Sequence, residues 1–191
     1  MQRFQHINII LASGSPRRQE FLKEIGLEFT VKTFDVEEIF PASLKGPAIA
    51  EYLVRLKAEP FEKLNANEIV ITADTIVWSN HTCLGKPKNK KEAKQMLLQL
   101  SGNSHDVITA VAFTQAHQQT IIHEKTSVAF KSLTETEIDY YINTYSPLDK
   151  AGAYGIQEWI GTIGIEKIEG SYTNVVGLPI AQVLSTLEKI C

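Results

Sequence analysis

At 191 residues, 43% of them apolar, the chain fits one domain or two small lobes sharing a core. A domain of about 150 residues already hides roughly 70% of its unfolded surface, which excludes intrinsic disorder. Nineteen basic against twenty-two acidic side chains leave a net charge of −3, so no global positive field holds nucleic acid or an anionic membrane, and an anionic ligand must be caught by local groups.

Two cysteines, Cys83 and Cys191, stand far apart and outside any Cys-x-x-Cys or zinc spacing, which points to a reducing cytosol rather than a disulfide scaffold. The polar stretch 1–8 and the short apolar run 9–12 fall well below a signal-peptide core or the ~20 residues of a membrane span. A soluble cytoplasmic protein is expected.

Residues 9–12 read as a buried strand running into Ser13, Gly14, Ser15 and Pro16, with Ser15 as N-cap and Pro16 at the first helical position. The helix turns Phe21, Leu22 and Ile25 inward and stops at Gly26, and residues 29–34 follow as a second strand. From Pro47 a second helix sets Ala50, Leu53, Val54 and Lys57 on one face, so a lysine lies in line with an apolar stripe. After a turn at 65–67, residues 69–78 form a central strand interrupted by Asp74 and Thr75. The chain turns again through Ser79 and Asn80 to Leu84, Gly85, Lys86 and Pro87. A third helix then carries Ala93, Met96, Leu97 and Leu100 and ends at Ser101 and Gly102.

Residues 107–113 and 120–130 read as an antiparallel hairpin. Thr134 with Glu137 is a capping box, Leu133 staples onto Ile138, and Ile138, Tyr141, Ile142 and Tyr145 form the buried stripe of the next helix. Six of the eleven glycines fall between Gly152 and Gly177, predicting turns and close backbone approach there rather than regular helices. A last helix opens at Pro179 and buries Ile180, Val183, Leu184 and Leu187. Helices interleaved with strands, plus a hairpin, predict an α/β fold with a sheet of mixed direction.

Three groups could carry chemistry. Ser13-Gly14-Ser15-Pro16-Arg17-Arg18 is a strand-to-helix turn with free N–H groups and two arginines, an anion site in outline. It fits a capped surface helix with solvated arginines as well, and it is not a P-loop. Asp74 is a carboxylate in an apolar strand, which must be compensated by a metal, a cation or several hydrogen bonds. Glu38, Lys57, Lys86 and Lys150 are singly unremarkable and would ordinarily be solvated. Their weight comes from strand ends and turns that would bring them, with the arginines and Asp74, toward one crevice. The five histidines show no paired spacing, so a hard divalent cation held by carboxylate and phosphate oxygens is preferred over zinc, and His105 reads as structural. Neither cysteine has an obvious base and no Gly-x-Ser-x-Gly occurs, which disfavours covalent catalysis.

Leu11-Ala12-Ser13-x-Ser15-Pro16-Arg17-Arg18, Ala73-Asp74-Thr75, Leu84-Gly85-Lys86-Pro87, Leu100-Ser101-Gly102 with His105, and the block from Asp149-Lys150-Ala151-Gly152 through Ala153-Tyr154-Gly155-Ile156-Gln157 together resemble the Maf family of nucleoside triphosphate pyrophosphatases. Gly170-Ser171-Tyr172 and Val176-Gly177-Leu178-Pro179 extend the match, which runs in order from about residue 9 to residue 189. The Asp149 to Gln157 block resembles the branch acting on dTTP and UTP. One departure is local: Gln157 is followed by Glu158, Trp159 and Ile160 before Gly161, where family members commonly have Gly-x-Gly.

The resemblance implies an elongated mixed sheet flanked by helices, related to the inosine triphosphate pyrophosphatases. It implies hydrolysis of a nucleoside triphosphate to monophosphate and pyrophosphate, a divalent metal of the Mg or Mn type, and a homodimer. It matches Asp74 to the proton acceptor and Arg17, Thr75 and Gln157 to choice of base. Ser15, Arg18, Glu38, Lys57 and Lys86 match polar positions lining the pocket, and Lys150 is expected to join the phosphate-binding set. Glu38 and Asp74 are the expected metal ligands. Gln157, an amide, can both donate to and accept from a uracil edge. The competing reading is a nucleotide-binding regulator of septum formation without essential turnover; an ordinary phosphomonoesterase would release phosphate instead of pyrophosphate.

Overall fold

The apolar run around Asp74 organises the sheet. In the computed structural model, which describes residues 4–191, it is the twelve-residue strand β3 (Glu68–Ser79). Along one edge β3 pairs antiparallel with β5 (Ser104–Thr114), Asp74 opposite Ala110. The other edge is shared. β1 (Asn8–Leu11) runs parallel to residues 68–71, and β4 (Thr82–Leu84) folds back antiparallel on residues 77–79. Residues 72–76 therefore have no strand partner on that edge among the described residues, and Asp74 is at the middle of the opening.

β2 (Thr30–Val31) lies parallel outside β1, β6 (Gln119–Phe130) antiparallel to β5, and β7 (Ile165–Glu169) antiparallel to β6. The sheet order is β2-β1-β3-β5-β6-β7, with β4 beside β3. The expected mixed α/β sheet is what forms. Edge strand β7 reads Ile-Glu-Lys-Ile-Glu and is largely exposed, charges that discourage pairing with a second chain.

Alternation along β3 assigns each helix a face. Ile76 and Trp78 pack with Ile49, Ala50, Leu53 and Val54 of α2 (Pro47–Ala58). On the opposite face Ile69, Ile71 and Ala73 pack with Leu22 of α1 (Pro16–Glu24) and with Val183 and Leu187 of α7 (Ile180–Ile190). Val77 belongs to a second core with Leu97 of α3 (Lys90–Leu100) and Ile138 and Tyr141 of α4 (Glu135–Tyr145). Thr75 falls between these two cores.

The capping box of Thr134 and Glu137 forms, and Ser15 stands at the N-cap of α1 with Pro16 behind it. The Ser15 hydroxyl makes no capping bond. Five expectations are corrected, the last of them at His105. The strand over 29–34 shrinks to Thr30–Val31, both exposed. β4 is added because Asn80 and His81 adopt φ of 48° and 61°, the left-handed pair that closes a tight hairpin. Tyr145 leaves the buried stripe, 37% exposed beside the left-handed Ser146. The glycine-rich third holds β7, α5 (Trp159–Gly164) and α6 (Tyr172–Val176), short elements whose apolar period is too brief to read. The N-terminal reading includes residues 1–3, which lie outside the described residues. Among the described residues no helix is long and apolar enough to cross a membrane.

His105 lies inside β5, not ahead of it. It is stacked on Phe130, with Nε2 2.8 Å from the Tyr154 hydroxyl. Burial lowers its pKa from 6.5 to about 4. Below 6.5 the unfolded chain therefore binds a proton that the folded chain refuses, and stability falls as pH drops toward 4. Between pH 7 and pH 5 this group alone is expected to remove about 2 kcal/mol. Urea titrations at the two pH values should show a loss smaller by that amount in His105→Gln; equal losses in both proteins would contradict the assignment.

Candidate active site

The opening in β3's edge is one wall of a crevice of about 980 Å³, at the upper end of the range for small-molecule sites. Because the crevice wraps around an open edge, it is reached from both faces of the strand. Asp74 and Thr75, which point to opposite faces, both line it.

Asp74 is 6% exposed. Its Oδ1 accepts a short hydrogen bond from Lys57 Nζ, and its Oδ2 has no protein partner among the described residues. Lys57 arrives from the last turn of α2, its side chain 17% exposed, and also meets Glu38 Oε1 at 3.0 Å. Lys86, in the loop after β4, approaches the same oxygen at 3.3 Å. Burial works against the Glu38 charge, but Lys57 and then Lys86 outweigh it and hold the carboxyl below its ordinary pKa. The lysine in the apolar stripe of α2 is thus the hinge between two carboxylates.

The turn after β1 supplies the second wall. The uncapped Ser15 hydroxyl and the first-turn N–H groups of α1 remain open toward the crevice. Arg17 is half-buried and lies 3.5 Å from Asp149 Oδ2. Arg18 does not hold its guanidinium toward the crevice as a free phosphate fork. Its Nε donates to Gly177 O at 2.8 Å, Nη1 to Ala73 O at 2.9 Å and Ser13 Oγ at 3.2 Å, and Nη2 to Thr75 Oγ1 at 3.0 Å. Four of its five N–H groups are committed to protein acceptors. Ala73 O belongs to the open edge of β3, so Arg18 substitutes for a missing strand. Thr109 gives its own proton to Asn174 O at 2.9 Å, hence it accepts from Thr75 at 2.9 Å. The Thr75 hydroxyl is left able to accept from a ligand but with no proton to offer.

The third wall is the loop 149–158. Lys150 Nζ lies 2.7 Å from Asp149 Oδ1 and 3.0 Å from Glu158 Oε1, which leaves it neutralised and 10% exposed rather than free. Gln157 is exposed, lines the crevice and has no side-chain partner among the described residues. The structure thus brings all ten expected site residues to one crevice, with Arg18 and Lys150 already bound to protein groups. Tyr141 and Cys83 carry no signal in the sequence that marks them as site groups, and Glu158 only its place in the departure from Gly-x-Gly. Burial, then Asp74, pushes the Cys83 thiol up to about 11, so it stays protonated and is no nucleophile at neutral pH.

Among the described residues no group of three His, Cys, Asp or Glu side chains could hold a metal ion. Glu38 and Asp74 alone do not suit zinc. They fit a magnesium-type ion, which takes one or two carboxylates and completes its shell with substrate oxygens and water.

A family model described as Maf-like protein matches residues 8–190. The dTTP/UTP pyrophosphatase of Flavobacterium johnsoniae is 51% identical over 187 residues, 97% of this chain and 96% of that protein. The dTTP/UTP pyrophosphatase of Phocaeicola vulgatus is 46% identical over 192 residues, covering 100% of both chains. Among solved structures the Staphylococcus aureus Ham1 protein superposes with a TM-score of 0.56 at 18% identity, over 96% of this chain and 100% of that one, which is a likeness of fold.

Proposed function

The chain belongs to the Maf-like family, and on that footing we propose that it hydrolyses dTTP and UTP at the α–β phosphoanhydride, with water, to the nucleoside monophosphate and pyrophosphate. The observation that carries this reading is Asp74: a carboxylate at the open edge of a buried strand that lines the crevice, one oxygen fixed by Lys57 and the other with no protein partner among the described residues.

Such hydrolysis needs positioning, neutralised phosphate charge and one base to take a proton from water. Asp74 Oδ2 is that base, and Lys57 holds the carboxylate in place through Oδ1. Lys86, exposed at the rim, meets the phosphate chain, and the open N–H groups of α1 with the Ser15 hydroxyl receive a phosphate oxygen. Arg17, 3.5 Å from Asp149 at the foot of the Gln157 loop, belongs with Thr75 and Gln157 to the choice of base. Gln157 meets the pyrimidine edge, where a uracil ring presents a donor between two carbonyls and an amide matches both. Thr75, restricted to accepting, favours a ring N–H over a lone pair. Glu38 and Asp74 would hold a divalent ion of the Mg or Mn type, which when bound neutralises charge on the phosphates.

The test is a panel of nucleoside triphosphates with Mg²⁺ or Mn²⁺, products separated so that pyrophosphate is distinguished from phosphate. Pyrophosphate from dTTP and UTP, lost on chelation, is expected. Release of phosphate, or preference for purine triphosphates, would refute the reading.

A further inference from the structure

Glu158 stands at the N-cap of α5, yet its side chain makes no bond to its own helix. The carboxylate turns back into the loop instead. Oε1 meets Lys150 Nζ at 3.0 Å, and Oε2 accepts a short hydrogen bond from the buried Tyr141 hydroxyl on α4. The same hydroxyl accepts from the Gly155 N–H at 3.0 Å, and Glu158 N–H donates to Gly155 O at 3.0 Å. One carboxylate thus ties the start of the loop, its middle and its end to a helix in the core. Gly155 is part of the arrangement, since a Cβ there would stand 2.8 Å from Glu158 Cδ and 3.1 Å from Lys150 Cε. Gln157, the residue just before Glu158, is the one polar side chain lining the crevice from this loop that has no hydrogen-bond or ion-pair partner among the described residues.

We propose that Glu158 is a specificity-positioning residue: with Lys150 and Tyr141 it clamps the loop 150–158 so that the Gln157 carboxamide is held at a fixed place in the crevice to read a pyrimidine edge. The proposal rests on the pyrophosphatase reading and assigns work to it that is not chemical. In this role Glu158 acts through Gln157 and not on the reacting atoms. Lys150, neutralised by Asp149 and Glu158, acts in the clamp rather than on phosphate. Loss of the clamp lets Gln157 wander, so the cost falls on recognition of the ring: KM rises more than kcat falls, and the advantage of dTTP over dCTP shrinks. A carboxylate that merely compensated a buried lysine would change both nucleotides alike.

The experiment compares wild type, Glu158→Gln, Tyr141→Phe, Gln157→Ala and the double variant Glu158→Gln/Gln157→Ala. kcat and KM for dTTP and dCTP are measured, along with amide hydrogen exchange over residues 150–158. Tyr141→Phe deletes only a hydroxyl and guards against misfolding of the carboxylate variant. Glu158→Gln and Tyr141→Phe are each expected to lower the dTTP-to-dCTP ratio of kcat/KM by about tenfold, the worth of one lost buried hydrogen bond. Exchange in the loop should speed up by a similar factor. In the Gln157→Ala background Glu158→Gln should change the ratio no further. Equal effects on dTTP and dCTP, effects that multiply with Gln157→Ala, or unchanged loop exchange would each overturn the proposal. A wild-type enzyme that releases no pyrophosphate from dTTP or UTP would instead overturn the reading beneath it; the loop exchange still decides whether the clamp exists.

Discussion

Asp74→Asn is expected to lower pyrophosphate release from dTTP and UTP by about a thousandfold, within the 10²–10⁴ range that a positioned general base supplies. The substitution is nearly isosteric. Asn keeps an acceptor for Lys57 and keeps the strand pairing opposite Ala110, so the fold should survive and nucleotide should still bind. What disappears is the ability to take a proton at Oδ2, together with the negative charge that Asp74 would offer a divalent ion. The size of the effect separates this role from a weaker one: Asn still accepts the Lys57 hydrogen bond, and trading a charge-assisted bond for a neutral one is worth about 1 kcal/mol, roughly fivefold. A fall of less than tenfold would remove Asp74 from the chemistry and leave it as Lys57's counter-ion. Steady-state rates with calorimetric nucleotide binding on the same preparation distinguish loss of turnover from loss of affinity.

Asp74 was legible in the sequence because a charge inside an apolar strand has a cost that needs a reason. Lys57 was legible because a charged residue continues the stripe Ala50, Leu53, Val54. The turn at Ser15 and Pro16 was legible from local capping chemistry alone, and so was the box at Thr134. What local pattern does not contain is the identity of distant partners. The carbonyl that receives Arg18 Nε is 159 residues away, and the hydroxyl under Glu158 is buried on a different helix. Two arginines at a strand-to-helix turn therefore read alike, although one reaches the crevice and the other substitutes for a strand. The short elements β4, β7 and α6 escaped for a related reason: each has too few residues to show a period and is fixed by what it packs on. Glu158 did leave a signal, as the place where the chain departs from Gly-x-Gly, but its meaning depends on Tyr141 and Lys150 being brought to the same point.

Arg18→Lys tests the tie that holds the site together, and it is expected to destabilise the fold by about 3 kcal/mol while retaining the charge. A lysine ammonium is a point donor on a flexible stem and cannot span Gly177 O, Ala73 O, Ser13 Oγ and Thr75 Oγ1, which lie around one planar guanidinium. At least one carbonyl would be left without a donor, at roughly 1–3 kcal/mol for a buried group. Thr75 would lose the bond that fixes its lone pair. The same three elements would loosen together: the turn after β1, the open edge of β3 and the link between α6 and α7, where Gly177 adopts φ 124°. If Arg18 served chiefly as a phosphate ligand, the lysine variant would keep its stability and raise KM alone. Urea unfolding set beside KM and kcat for dTTP reads the difference, because a structural tie lowers the unfolding midpoint even with no nucleotide present.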